Sequence, residues 1–502
     1  MKHRLKSISG IFHILSYLTL LFSFILIVPM IFALFFDGIE IFYSFVYTFL
    51  SSLVLGGILF FFTQKKELNL SQGMIVCALG WLFFSFIGAI PYILGINQSF
   101  VNSYFEAMSG FTTTGITMFT GLNSMPKSIL LWRSLTQWLG GLGIITFFIG
   151  ISSKIYGAHR LFGAESHKAE TDRPTPGLIN TVKILWLIYT FFTLLIIFLL
   201  HLNDVSLFNS INHGLTALST GGFSTFDQSI AYFSINNYAN SGAIEYIIIL
   251  GMLLGGISFL LHYFFLRGEI KKVIQNIEFR YFIGILLLFF TLILGERIYS
   301  ENIFSNVAIF SKEFWLILEK NIRTVLFQVV AILTTTGFGT KDIGNPYFGA
   351  VAKQIFLVAM FIGGCVGSTA GGFKVLRIAI LNKIAKLKIF KMYAPRRALD
   401  TLYFEGKKIE NEEINRITTI FYTWLVLILI GGLSTAFLSN HGALASASGM
   451  FSALGNIGPC YMSVNEMIVL HPVVKIVYII GMLAGRLEIL PVLLLFTKKA
   501  WY

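Results

Sequence analysis

The stretch AILTTTGFGT, Ala331–Thr340, sets a run of three threonines and two glycines inside a strongly apolar chain. A near copy, SGFTTTGIT, spans Ser109–Thr117. Two further turns share its pattern, LSTGGFS (Leu218–Ser224) and LGNIGPC (Leu454–Cys460). Taken as seven-residue turns, Phe111–Thr117, Leu218–Ser224, Leu333–Gly339 and Leu454–Cys460, their fifth positions align on Gly115, Gly222, Gly337 and Gly458, spaced roughly 110 residues apart. Each turn is followed by glycines inside the next apolar run: Gly140–Gly141, Gly255–Gly256, Gly363–Gly364, and Gly481 with Gly485. One such turn is weak evidence, whereas four at the same place in similar units make an internal repeat.

Around these turns the chain reads as a polytopic membrane protein. Its 502 residues are 56% hydrophobic and only 12% charged, and the mean hydropathy is +0.78. A soluble surface of this size needs far more charge. The runs Ile11–Phe36, Ile179–Leu202, Ile244–Phe265 and Thr418–Leu438 each suit a helix crossing the ~30 Å hydrocarbon layer. The N-terminus has a basic head, but its apolar run is long for a signal peptide and has no small-residue cleavage site, so an uncleaved first helix is expected.

The formal charge of +13 does not point to nucleic acid. Basic residues gather in Lys2–Lys6, Lys65–Lys66, Lys154–Arg173, Arg267–Arg280, Lys374–Arg416 and Lys498–Lys499. These segments would share one side of the membrane, with both termini inside. Cys77, Cys365 and Cys460 lie far apart, and the histidines show no ligand spacing. Metal chemistry and a membrane-embedded enzyme therefore lack support.

The expected architecture is all-α: two N-terminal helices, roughly 9–36 and 40–63, then four units of helix, re-entrant segment and helix. The boundaries run 1–70 for the N-terminal segment, then 71–177, 178–275, 276–410 and 411–502 for the units. The segments before the turns, QSFVNSYFEAMSG, DVSLFNSINHGLTAL, EKNIRTVLFQVVAI and HGALASASGMFSA, are too short and polar to span. Asp204 is the expected N-cap of the second. Irregular backbone at membrane depth survives only inside protein or beside a water-filled path. Four converging turns can ring one axis with carbonyl oxygens that replace a cation's hydration shell. Helix C-terminal ends pointing at that axis add negative potential.

The motifs FEAMSGFTTTGIT, WLGGLGII, ALSTGGFST, FIGGCVGSTAGGFKVLR, GNIGPC and GMLAGRLEILPVLLLF together resemble the Trk/Ktr/HKT superfamily of cation transporters over nearly the whole chain. The two helices before the first unit resemble its TrkH-type branch. The resemblance implies four M1–P–M2 repeats around one pore, usually in a homodimer within the cytoplasmic membrane, and uptake of potassium. It also implies a cytosolic ring of nucleotide-binding TrkA-type subunits, since this chain carries no nucleotide-binding motif of its own. Glycine at all four filter positions implies K+ as the transported ion, with no cofactor in the chain. The expected cation ligands are Thr113, Thr114 and Gly115; Thr220, Gly221 and Gly222; Thr335, Thr336 and Gly337; and Asn456, Ile457 and Gly458. The fourth set departs most from the threonine theme.

GGCVGSTAGG interrupts the third returning helix, and five glycines make a poor helix. With the family motif at this place, the expectation is an intramembrane gate formed by Gly363, Gly364, Gly367, Ser368, Thr369, Gly371 and Gly372, the alternative being a glycine-rich packing face. Arg486 lies deep in the last apolar run, where a charge faces a cavity or partner. It is expected to touch the gate loop and add a positive barrier, or else to make a structural contact; Glu488 is not assigned to it as a pair. Glu106 supports the filter, caps or packs. Asp227, Asp342 and Glu466 are outer charges that either concentrate cations or are simply solvated. Arg133 is expected to snorkel. The basic segment from Lys374 lies on membrane lipid or docks a regulator. The competing function is a secondary transporter, symporting H+ or Na+ with K+ or Na+ as substrate. It calls for mid-membrane ionisable groups and paired halves, which fit this pattern less well.

Overall fold

Backbone in hydrocarbon must satisfy its own hydrogen bonds, so apolar runs of this length fold as helices. The computed structural model describes residues 2–143, 146, 177–301, 311–393, 402–404 and 407–501. Among them, six helices are long and apolar enough to cross a membrane. The basic stretch Lys154–Arg173 lies outside the described residues, as do positions 394–401 and 405–406 of the basic segment Lys374–Arg416. Large apolar side chains such as Tyr47, Val54, Phe61, Leu194 and Phe437 point outward, the surface expected of a protein whose solvent is lipid.

The N-terminal helices are α1 (Lys2–Ile25), α2 (Ile27–Phe36) and α3 (Ile39–Phe62). The span expected at 9–36 is divided at Leu26, and its two parts still pass together as one crossing, Ile8–Phe36. From α4 onward one order of elements recurs. A long helix leads to a helix ending in a Thr/Gly turn, and a third helix follows. The first set is α4 (Leu70–Ile96), α5 (Phe100–Phe111) and α6 (Lys127–Gly141). The second is α7 (Leu178–Leu202), α8 (Leu207–Leu218) and α9 (Ser241–Gly256) with its continuation α10 (Phe259–Leu266). The third is α11 (Ile277–Glu301), α12 (Lys312–Leu333) and α13 (Ala350–Ile362), continued by α14 (Val375–Tyr393). The fourth is α15 (Asn411–Ser439), α16 (Ala443–Gly455) and α17 (Pro472–Arg486), continued by α18 (Leu490–Leu495).

Three expectations need correction. The turn-bearing helix of the third set is 22 residues long, because it starts at Lys312 on the Ser311 cap rather than at Glu319. The cap of α8 is Ser206, whose hydroxyl accepts from Asn209 N–H. Asp204 instead sits at φ 64° and accepts from the Asn240 amide. Finally, Ile244–Phe265 is not one straight span, since α9 and α10 meet at 105°.

Packing within each set joins the long helix to the turn-bearing helix and the latter to the returning helix. Between sets the contacts form a closed cycle. Returning helix α6 packs on α8, α9 on α12, α13 on α16, and α17 back on α5. The cycle requires close approach at the hinge glycines. A Cβ on Gly141 would press on Ser219 of the second set, and one on Gly256 on Thr334 of the third.

Candidate functional site

All four turn-bearing helices end in the same cap. In the first, Thr113 N–H donates to Gly110 C=O (3.0 Å) and Thr114 N–H to Ser109 C=O (2.9 Å). This is a Schellman arrangement. The same pair of bonds recurs at Thr220 and Gly221, at Thr335 and Thr336, and at Asn456 and Ile457. It puts the first residue of each pair in the left-handed region, at φ 54°, 51°, 57° and 54° for Thr113, Thr220, Thr335 and Asn456. Helix caps normally place glycine or asparagine there, and three β-branched threonines hold a strain of about 1–3 kcal/mol each. Two residues on, Gly115, Gly222, Gly337 and Gly458 also have positive φ, between 76° and 107°.

These glycines face their neighbours' carbonyls. A Cβ on Gly115 would run into the Gly221 oxygen, one on Gly222 into the Thr336 oxygen, and one on Gly337 into the Ile457 oxygen. A Cβ on Gly458 would stand 3.0 Å from the Thr114 oxygen. The contacts pass from each turn to the next and return to the first. Glycine is thus required twice, for its backbone conformation and for room beside a carbonyl. The four glycines form part of the wall of a cavity of about 520 Å³, shared with Asp227, Gln328 and Asp342.

Buried polar side chains hold the turns. Thr112 and Thr114 hydroxyls pair at 2.7 Å, and Thr334 and Thr336 at 2.8 Å. In the fourth turn, which carries no threonine, the Asn456 amide donates to Thr114 Oγ1 and to Met482 C=O, both at 2.9 Å. Glu106, fully buried, accepts from Thr117 Oγ1 and from Met118 N–H at 2.7 Å. Arg133 does not snorkel: it is 1% exposed and forms an ion pair with Glu106 at 2.8 Å. It also donates to Ser224 C=O at 3.0 Å and lies 4.1 Å over the Phe223 ring. The pair therefore ties the segment that follows the first turn to the end of the second. Of the outer acidic residues, Asp227 accepts from Gly121 and Leu122 N–H, Asp342 from Gly344 N–H, and Glu466 caps a short helix through Ser463. The Ser463 bonds hold the Glu466 carboxyl below its usual range.

Between α13 and α14 the Gly363–Gly372 segment is a loop, with positive φ at Gly363, Gly367 and Gly372. Its base is closed by Phe373 N–H to Phe361 C=O (2.9 Å) and Lys374 N–H to Ile362 C=O (2.8 Å). Its tip docks on the α9–α10 break: Cys365 N–H donates to Gly256 C=O, Thr369 N–H to Gly255 C=O, and Phe259 N–H to Gly367 C=O. The loop also meets the strained residues. Thr220 Oγ1 lies 3.2 Å from Thr369 Oγ1, and Gly371 N–H donates to Thr335 Oγ1 at 2.6 Å. A Cβ on Gly371 would come within 2.9 Å of the Asn456 Cβ. Gly364 and Ser368 pack inside the loop, the latter donating to Cys365 C=O.

Arg486 joins this loop to the first set. One guanidinium nitrogen donates to Thr369 C=O at 2.8 Å, and the other to the carbonyls of Gly140 and Gly141. Glu488 pairs with Arg377 at the start of α14. Sequence reasoning missed the left-handed threonines and the inward path of Arg133. The Glu106 and Arg133 pairing had no sequence signal, because the two lie on different helices.

The TrkH family model, described as a cation transport protein, matches residues 41–501. The chain is 32% identical to the Trk system potassium uptake protein TrkH of Escherichia coli K12, over 98% of this chain and 99% of that protein. It is 30% identical to the TrkH of Halomonas elongata, over 99% of each. The crystal structure of the potassium transporter TrkH from Vibrio parahaemolyticus superposes with a TM-score of 0.83 at 29% identity, covering 100% of both chains. With the matched model spanning the four turns, their returning helices and the loop between α13 and α14, this chain belongs to the TrkH family of cation transport proteins.

Proposed function

We propose that the protein takes up potassium across the cytoplasmic membrane through a single pore on the axis of the four turns. In this reading the four sets are M1–P–M2 repeats, with boundaries at residues 71–177, 178–275, 276–410 and 411–502. The carbonyls of Thr113, Thr114, Thr220, Gly221, Thr335, Thr336, Asn456 and Ile457 replace the ion's hydration shell. Gly115, Gly222, Gly337 and Gly458 let them do so. The helix C-termini add negative potential where the cation sheds water. The cyclic approach of each glycine to the next turn's carbonyl supports the reading, because it brings four segments far apart in sequence against one another.

The loop 363–372 is the gate. It rests on the left-handed residues of the second, third and fourth turns and is held by Arg486, whose charge also opposes a cation below the filter. The termini face the cytosol, the chain pairs as a homodimer, and a nucleotide-binding ring of the TrkA type acts on its inner face. The names of the relatives support potassium as the ion.

The test is flux in proteoliposomes. Radiolabelled rubidium should enter faster than sodium, and Gly115→Ser should raise sodium's share severalfold. No cation flux in any condition, with or without the cytosolic partner, would overturn the transport reading. A Gly115→Ser protein that conducts with unchanged preference would overturn the filter assignment.

A further inference from the structure

The filter carbonyls of the four turns are not equivalent, and one side chain makes the difference. Gln137 lies on α6, one helical turn beyond Arg133, and is fully buried. Its amide nitrogen donates to Gly221 C=O at 2.6 Å, and its amide oxygen accepts from Phe223 N–H at 3.0 Å. Both contacts fix the same amide orientation. Gln137 thereby spans Gly222 and grips the second turn on either side of its filter glycine.

Among the described residues, the other three seams have no such grip. The residues three positions before Gly140, Gly255, Gly363 and Gly485 are Gln137, Met252, Met360 and Met482 in turn. The three methionines are also fully buried, but a thioether offers no N–H to a carbonyl. Gly221 is thus a filter carbonyl that shares its oxygen with a side-chain donor.

We infer that Gln137 is a specificity-determining residue that keeps the Gly221 carbonyl a weak, fixed ligand and so biases the ring against the smaller cation. This rests on the filter reading proposed above. A donor on a carbonyl draws electron density from its oxygen and lowers the field it offers an ion. It also stops the carbonyl from swinging inward. Small cations gain most from strong, mobile ligands, so whether selectivity comes from field strength or from cavity size, losing the donor favours sodium.

The test compares rubidium and sodium flux in proteoliposomes for Gln137→Met, Met360→Leu and Gly115→Ser. Gln137→Met installs the residue found at the other three seams. It is expected to lower the rubidium-to-sodium ratio by about threefold to tenfold, the range of one lost hydrogen bond. Met360→Leu, a packing change at an equivalent position, should leave the ratio alone. If Gln137→Met fails to insert, Gln137→Leu gives the same readout. An unchanged ratio in the Gln137 variant beside a lowered one in Gly115→Ser overturns the inference and leaves the filter standing. Equal falls in the Gln137 and Met360 variants overturn it as a packing effect. If neither Gln137→Met nor Gly115→Ser moves the ratio in conducting proteins, the filter reading falls as well.

Discussion

Arg133 and Glu106 show what a hydropathy profile cannot convey about a charge in a membrane protein. Each sits among apolar neighbours in sequence, and each alone would carry a heavy desolvation cost. Together with Thr117, Met118 and Ser224 they satisfy one another between two turns. Removing only one partner leaves a buried charge unpaired. Arg133→Ala is therefore expected to cost about 3–5 kcal/mol, read as a lower unfolding midpoint in detergent. The double change Arg133→Met with Glu106→Gln should cost less than Arg133→Ala, because no lone charge remains. The filter glycines were legible from four aligned letters. The strain at Thr113, Thr220 and Thr335 was not, because threonine is a residue one expects on the ordinary side of the φ map.

At the scale of elements, the loop between α13 and α14 differs from the breaks after α9 and α17 mainly in length. α9 bends into α10, and α17 breaks before α18, each within a few residues. The third break instead takes twelve residues, 363–374, and docks them on its neighbours. Its glycine-rich sequence announced an interruption, but not that Thr369 would donate to Leu218 C=O and Gly255 C=O. Those contacts hold the loop against two other helices. Deleting Val366–Thr369 should raise rubidium flux severalfold in protein without its cytosolic partner. Thr369→Val, which loses only the hydroxyl contacts, should raise it less. A folded deletion protein conducting no faster than the parent would count against a gate here. The turn-bearing helix α12 was misjudged in length because its first turns, ahead of Glu319, carry no signal that sets them apart; Arg323 pairs with Glu245 and Glu319 on it, which makes a charged helix surface tenable.

For the molecule as a whole, the order of the four sets in space follows their order in sequence and then closes. The period of the turns made that closure readable in outline, since four similar units around an axis satisfy their exposed turns only by meeting. The sense of the cycle was not readable, because it depends on which face of each returning helix presents its small residues to the next set. A chain divided between residues 301 and 311 should therefore conduct rubidium only when both pieces are produced together. Flux from either piece alone would show that a complete ring is not needed.

The amide of Asn456 reaches back to the hydroxyl of Thr114 across almost the full length of the chain. A ribosome makes these two residues far apart in time. Until the final segment enters the bilayer, the first turn stands with a side open, its polar backbone facing the place of a neighbour not yet made. A protein built this way is exposed to quality-control proteases for most of its synthesis. A nonsense codon shortly before Asn456 should leave the cell with as little of this protein as one near the start.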